Sequence, residues 1–218
     1  MKKSILALSL SIVILAMAIT GATLAWLQDT TDPVVNTFTE GKVDIELFEH
    51  EYSAAGNKLT DTKIYGDADA DNEGNTYKMV PGDVLPKDPT VVVKEGSEAC
   101  YVFVKVEEIN DAGKFLTYTV DTAVWTPLAD TNSDGVADDG VYYKVINVYT
   151  STDTSLNVLT NKQVTVKTSV KMDDMKNLSA SNYPQLKFTA YAIQSANLTD
   201  QNSNGTVDAS DAWAALQP

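Results

Sequence analysis

The strongest constraint on this chain is a two-residue period of apolar side chains, repeated in short runs between clusters of Asp, Asn, Gly, Pro and Ser. Successive side chains of a strand point to opposite faces, so each run assigns one set of residues to a core. Val43, Ile45 and Leu47 alternate with Asp44, Glu46 and Phe48. In Tyr101–Val106, Val102, Val104 and Val106 share one face and Tyr101, Phe103 and Lys105 the other, which predicts a strand covered on both sides. Val141–Tyr149 reads similarly. Val164, Val166 and Val170 face one way while Thr165, Lys167, Ser169 and Lys171 face water, the pattern of an antiparallel sheet with one wet side. Gln185–Gln194 predicts a long strand with Leu186, Phe188, Ala190 and Ala192 on one face, and Pro89–Lys94 and Phe115–Val124 are further candidates. Roughly eight strands without helices between them predict an all-β fold, a jelly-roll-like two-sheet antiparallel sandwich. The one good helix is Ala209–Leu216, with Trp213 and Leu216 on one side. It is too short to stand alone in water and should dock on the sandwich.

The amino end reads differently. Met1, Lys2 and Lys3 form a basic head, and Ile5–Ile19 is an apolar run broken only by small or hydroxyl residues, as in a secretory signal. Small residues in Thr20–Ala25 place the cut after Ala25. The competing reading is a retained anchor, because Ile5–Leu27 approaches the roughly 20 apolar residues that span a bilayer. The expected organisation is a signal peptide over 1–25, an N-terminal segment over 26–40 and a β-sandwich over 41–218, with acidic loop insertions near 66–76, 130–140 and 200–211. Contact with a membrane is then expected only before cleavage.

Charge narrows the partners. Cleavage would remove two of 16 lysines and none of the 30 acids, leaving a net charge near −16. Nucleic acid is an unsuitable partner for such a chain, since binding it requires a basic patch. Arginine is absent, and with it the bidentate fork for phosphate or carboxylate. The single Cys100, in an apolar stretch, rules out an intrachain disulfide and reads as a small buried hydrophobe.

Several motifs together resemble a known family. Gly21-Ala22-Thr23-Leu24-Ala25-Trp26-Leu27-Gln28-Asp29 precedes Asn36-Thr37-Phe38-Thr39-Glu40-Gly41-Lys42-Val43-Asp44-Ile45-Glu46-Leu47. Val80-Pro81-Gly82-Asp83, Lys87-Asp88-Pro89-Thr90-Val91 and Gly96-Ser97 come before Tyr101–Val106, and Ala190-Tyr191-Ala192-Ile193-Gln194 precedes a closing Ala212-Trp213-Ala214-Ala215. This set resembles the TasA and camelysin-like exported proteins of Gram-positive bacteria, whose signal is cut by a SipW-type peptidase. Residues 110–169 are largely outside the likeness. The resemblance implies a jelly-roll domain secreted to the cell surface or biofilm matrix, polymerising into fibres as each subunit donates its amino-terminal strand to a neighbour. Residues 26–39, rich in Thr, Val and Phe, are the corresponding segment for self-assembly here. The alternatives for that segment are a disordered leader or pairing within its own domain.

The acidic insertions carry the clearest local chemistry. From Asp200 to Asp211 the spacing is that of a calcium loop: side-chain oxygens of Asp200, Asn202, Asn204, Asp208 and Asp211 fall at positions 1, 3, 5, 9 and 12, the Thr206 carbonyl at 7 and Gly205 at 6. The last ligand is Asp211 rather than glutamate, as in dockerin-like loops. A second loop offers Asp130, Asn132, Asp134, the Val136 carbonyl and Asp138 around Gly135, but has Val141 at position 12 and leads into a strand. Asp138 or Asp139 would close its shell. The third cluster, Asp67–Gly74, has two competing registers and reads as a solvated acidic loop. Clustered carboxylates repel one another, and a divalent cation turns that repulsion into a fixed turn, so the expected calcium is structural.

Catalysis has less support. A zinc peptidase of the type described among camelysin-like proteins needs histidine ligands, and this chain has only His50, read as a surface residue. A triad beside Cys100 or a serine would need that same histidine. Paired carboxylates of a glycosidase remain open among 30 acids. The expectation is a non-catalytic surface or matrix protein, with a monomeric adhesin or binding module as the alternative.

Overall fold

The computed structural model describes residues 41–66, 74–129, 134–147 and 149–216. Eleven strands and three short helices follow one another in this part of the chain. The strands are β1 (Ile45–Tyr52), β2 (Lys58–Tyr65), β3 (Val84–Pro86), β4 (Thr90–Val93), β5 (Cys100–Ile109), β6 (Leu116–Thr117), β7 (Thr126–Pro127), β8 (Val141–Ile146), β9 (Thr154–Asn157), β10 (Gln163–Val166) and β11 (Gln185–Gln194). The helices are α1 (Ala112–Phe115), α2 (Met172–Lys176) and α3 (Ala209–Leu216). The sheets run β2-β1-β4-β9, β3-β10-β6 and β11-β5-β8-β7, and every pairing of named strands is antiparallel.

The first two sheets form one interrupted layer. β4 pairs with β9 and β3 with β10, and β3 runs into β4 as β9 runs into β10 along the chain. Between them the ladder continues through Val158 N–H to the Pro89 carbonyl and Lys87 N–H to the Lys162 carbonyl, both 2.9 Å. Pro89 has no N–H to give, and Thr160–Lys162 is a single 3₁₀ turn, so regular pairing lapses there. The result is the expected all-β sandwich with a short C-terminal helix.

Register decides what the layers bury. On the inner face of the β11-β5-β8-β7 sheet, Val102 stands opposite Ala192, and Val104 between Ala190 and Tyr142. Facing them, Leu47, Val91 and Leu156 line up across β1, β4 and β9. Val91, Val93, Val102 and Val104 are fully buried in this core, as are Val158 and Val166. Trp125 lies there too, its indole N–H donating to the Asn157 carbonyl at 2.8 Å. Cys100 is buried as expected, and burial pushes its thiol up to about 11, so little reactive thiolate forms.

β5 is indeed covered on both faces. Tyr191, Phe103 and Tyr143 form an outer row across β11, β5 and β8, and α3 lies on it. Trp213 sits 5.2 Å from the Phe103 ring and 5.3 Å, edge to face, from Tyr191. That contact anchors a two-turn helix, and burying a Phe side chain contributes about 1.5–3 kcal/mol.

Three expectations change. Phe115–Val124 is a strand only over Leu116–Thr117, where β6 meets Val166 and Thr165 of β10. Val120 instead makes an isolated bridge to Leu159 and fills the core. The Val164–Lys171 run leaves the sheet after Val166, because Lys167 N–H turns to the Phe115 carbonyl and Val170 N–H to the Lys167 carbonyl, although Val170 stays buried. β8 ends at Ile146, short of Tyr149. The signal segment, residues 26–40 and most of the Asp67–Gly74 cluster lie outside the described residues.

Candidate functional site

The Asp200–Asp211 loop is built from side chains bonding the backbone just ahead of them. Asp200 accepts from Gly205 N–H at 2.8 Å and Asn204 N–H at 3.3 Å, Asn202 from Asn204 N–H, and Asn204 from both the N–H and the hydroxyl of Thr206. Gly205 turns the chain at φ +90°. The Asn204 amide reaches across the loop to Asp208 Oδ2 at 2.9 Å. This bond, with those from Ser210 and Asp211 N–H, holds the Asp208 carboxyl below its ordinary range.

Asp208 and Asp211 also form the start of α3. Asp208 caps the helix, and Asp211, three residues on, returns Oδ2 to Asp208 N–H at 2.9 Å, the reciprocal arrangement of a capping box. Asp211 is only 1% exposed, and its Oδ1 takes Gln201 N–H at 2.7 Å and Asn202 N–H at 3.1 Å. One carboxylate thus braces loop to helix through three backbone donors. The six predicted ligands Asp200, Asn202, Asn204, Thr206, Asp208 and Asp211 share one loop, with Asp211 turned to its amides. Among the described residues no three His, Cys, Asp or Glu side chains converge as a metal-holding group.

In the second loop, Asp130 and Asn132 lie outside the described residues. Asp134 Oδ1 accepts from Val136 N–H at 2.8 Å, Asp138 N–H donates to the Ala129 carbonyl, and Asp139 Oδ1 takes Val141 N–H. Gly140, at φ +73°, brings the loop so close to the Val106 carbonyl that a Cβ there would collide with it. This loop leads into β8, as expected.

A second polar centre was not foreseen. β1 outruns its partner: Phe48 is opposite Thr90, the first residue of β4, and beyond it the β1 backbone needs substitutes. Asp88 Oδ1 accepts from His50 N–H at 3.1 Å. The Asn75 side chain takes Tyr52 N–H at 2.7 Å and donates to the His50 carbonyl at 2.8 Å. Two side chains therefore stand in for a missing strand. Around them, His50 Nδ1 lies 2.6 Å from Asp88 Oδ2, which also accepts from the Tyr52 hydroxyl at 3.2 Å. Asp88 is 4% exposed, so His50 is half-buried against a carboxylate and is not the surface residue expected. Lys87 Nζ is 2.7 Å from Glu49 Oε1 and 5.4 Å from the centre of the Phe188 ring. Burial and the Asp88 charge push the Tyr52 phenol up to about 12, and burial with Glu49, Asp88 and Tyr52 raises that of Tyr77 further. Lys87-Asp88-Pro89 was visible in sequence, but Asp88 is 38 residues from His50, and no local pattern links them.

The sheet edges differ as well. β2 carries Lys58, Asp61 and Lys63, and its partner β1 is irregular between His50 and Tyr52. β11 matches β5 residue for residue from Gln185–Ile109 to Gln194–Cys100 without a bulge. No family model matches this chain, and neither curated proteins nor solved structures give a match.

Proposed function

We propose that this chain is an exported, non-catalytic structural protein of the cell surface or biofilm matrix, of the TasA and camelysin-like kind, that assembles with copies of itself. Residues 26–39 supply a strand and the outer edge of β11 receives it. The observation that supports this most is the ten-residue, unbroken β11 at the end of its sheet, with no strand beyond it among the described residues. Such an edge presents a row of backbone donors and acceptors, and β-strand addition is the interaction it suits. Matrix and surface components are the further partners, and nucleic acid is not.

The test is particle size, by light scattering and electron microscopy, for chains beginning at Trp26 and at Gly41. Residues from Gly41 onward form one compact unit, so the shorter chain should fold. Fibres from Trp26 and monomers from Gly41 are expected, and fibres from the chain lacking residues 26–40 would sink strand donation.

We assign calcium a structural place in the Asp200–Asp211 loop, on the spacing of its oxygens. Calorimetric titration of chelator-treated protein should give saturable heat that Asp200→Ala removes. No heat at millimolar calcium would leave the loop held by its hydrogen bonds alone. A monomeric binding module is the second reading, and the open polar depression bordered by Asn110, Asp111, Asp174, Asn177 and Asn182 is where its ligand would be sought. Specific glycan capture by monomer, without fibres, would favour it.

A further inference from the structure

The centre around Glu49 holds an amine, a carboxamide and a carboxylate in one half-buried place. Lys87 Nζ lies 2.7 Å from Glu49 Oε1 and 3.0 Å from Oε2, and Asn75 Nδ2 lies 3.4 Å from that same Oε2. The two side chains of the ion pair are 12% and 13% exposed, and no other lysine–carboxylate pair among the described residues has both partners so enclosed. The Asn75 carbonyl oxygen already accepts from Tyr52 N–H at 2.7 Å, which polarises it. The Tyr77 hydroxyl, within reach of the Glu49 charge, is buried and has no hydrogen-bond partner. Phe188 covers Lys87 from β11.

We propose that Lys87 and Asn75 become joined by an intramolecular isopeptide bond, with Glu49 as the proton carrier. The parts are those of acyl transfer: a nucleophile, an acid–base group touching both reacting nitrogens, and a backbone donor where negative charge develops. The Lys87 ammonium passes a proton to Glu49, and the freed amine attacks Asn75 Cγ. Charge gathers on Oδ1 against Tyr52 N–H. Glu49 protonates the amide nitrogen, takes the surplus proton from Nζ as Cγ–Nδ2 breaks, and hands that proton to the departing ammonia. The Nζ–Cγ bond replaces Cγ–Nδ2, one ammonium ion leaves, and Glu49 is a carboxylate again. No oxidant or cofactor enters. In a chain whose single cysteine rules out an intrachain disulfide, this bond would tie the β3–β4 junction to the segment that patches β1. It forms within one chain and does not depend on assembly.

Tryptic digestion of the purified full chain with tandem mass spectrometry tests it. The wild type should give Ile64–Lys78 linked to Met79–Lys94, uncut at Lys87, and lighter by one ammonia than the two peptides separately. Glu49→Gln should return two free peptides with cleavage at Lys87. Lys87→Arg keeps the positive charge beside Glu49 but removes the amine, so it preserves the fold if Glu49→Gln does not, and its Asn75 peptide should be free. Wild-type protein cut at Lys87 with Asn75 unlinked after prolonged incubation would overturn the proposal. So would an ammonia loss that maps to a succinimide at Asn204-Gly205.

Discussion

Asp211 and Asp88 are two nearly fully buried carboxylates satisfied in opposite ways. Asp211 is held by backbone N–H groups of Gln201, Asn202 and Asp208, all within ten residues of it. Asp88 is held by one backbone N–H and two side chains of β1, from His50 and Tyr52, at separations of 36 to 38 residues. Local satisfaction builds a loop that can form as soon as its own helix does. Distant satisfaction builds nothing until β1 and the β3–β4 junction have met, and it then fixes where β1 continues without a strand beside it.

The largest test of this difference is Asp88→Ala. It leaves His50 N–H, His50 Nδ1 and the Tyr52 hydroxyl without their acceptor inside the fold, and each buried polar group left unsatisfied costs about 1–3 kcal/mol. Denaturant unfolding should show that loss with an unchanged slope. A loss below about 1 kcal/mol would mean that water replaces the carboxylate and that the centre is wetter than its exposure indicates. Asp211→Ala should cost less, about 1–3 kcal/mol, because its orphaned donors lie in a surface loop. Its signature is local: the Trp213 contacts with Phe103 and Tyr191 should weaken in NMR spectra while the Val91–Val104 core signals stay in place. Equal broadening of both would show that α3 and the sandwich are one cooperative unit.

The same contrast explains what could be read from the sequence. α3 was legible to the residue, because Asp208-Ala209-Ser210-Asp211 before an apolar turn is a local capping signal. β11 was legible because its alternation runs unbroken for ten residues, and the double cover of β5 because Phe103 and Tyr101 are too apolar for a wet face. β2 was missed: Lys58-Leu59-Thr60-Asp61-Thr62-Lys63 is a polar edge strand recruited by β1, with no periodicity of its own. β3, β7 and β9 are too short for a period to register. The Glu49–Lys87–Asn75 and His50–Asp88 contacts were illegible for the same reason as every long-range contact, since the ladder that brings them together breaks at Pro89. The calcium spacing was legible as spacing, but it could not say that Asp211 would turn both oxygens to backbone amides.

The smallest effect belongs to Asp208, and pH isolates it. The Asn204 amide and the N–H groups of Ser210 and Asp211 hold its carboxyl below the ordinary value of 3.8. A carboxyl whose folded-state value is depressed stabilises the fold above its unfolded value, and loses that contribution as pH falls through the folded one. The Trp213 indole N–H signal should therefore be constant from neutral pH down to about 4 and shift only below it, as the cap protonates. Asp208→Asn caps nearly as well as aspartate, so it should leave the denaturant midpoint nearly unchanged and abolish the Asp208 part of the acid shift. An undiminished shift in that variant would transfer the titration to another carboxyl of the loop. Local satisfaction would then be shared among the loop's carboxylates instead of resting on the cap.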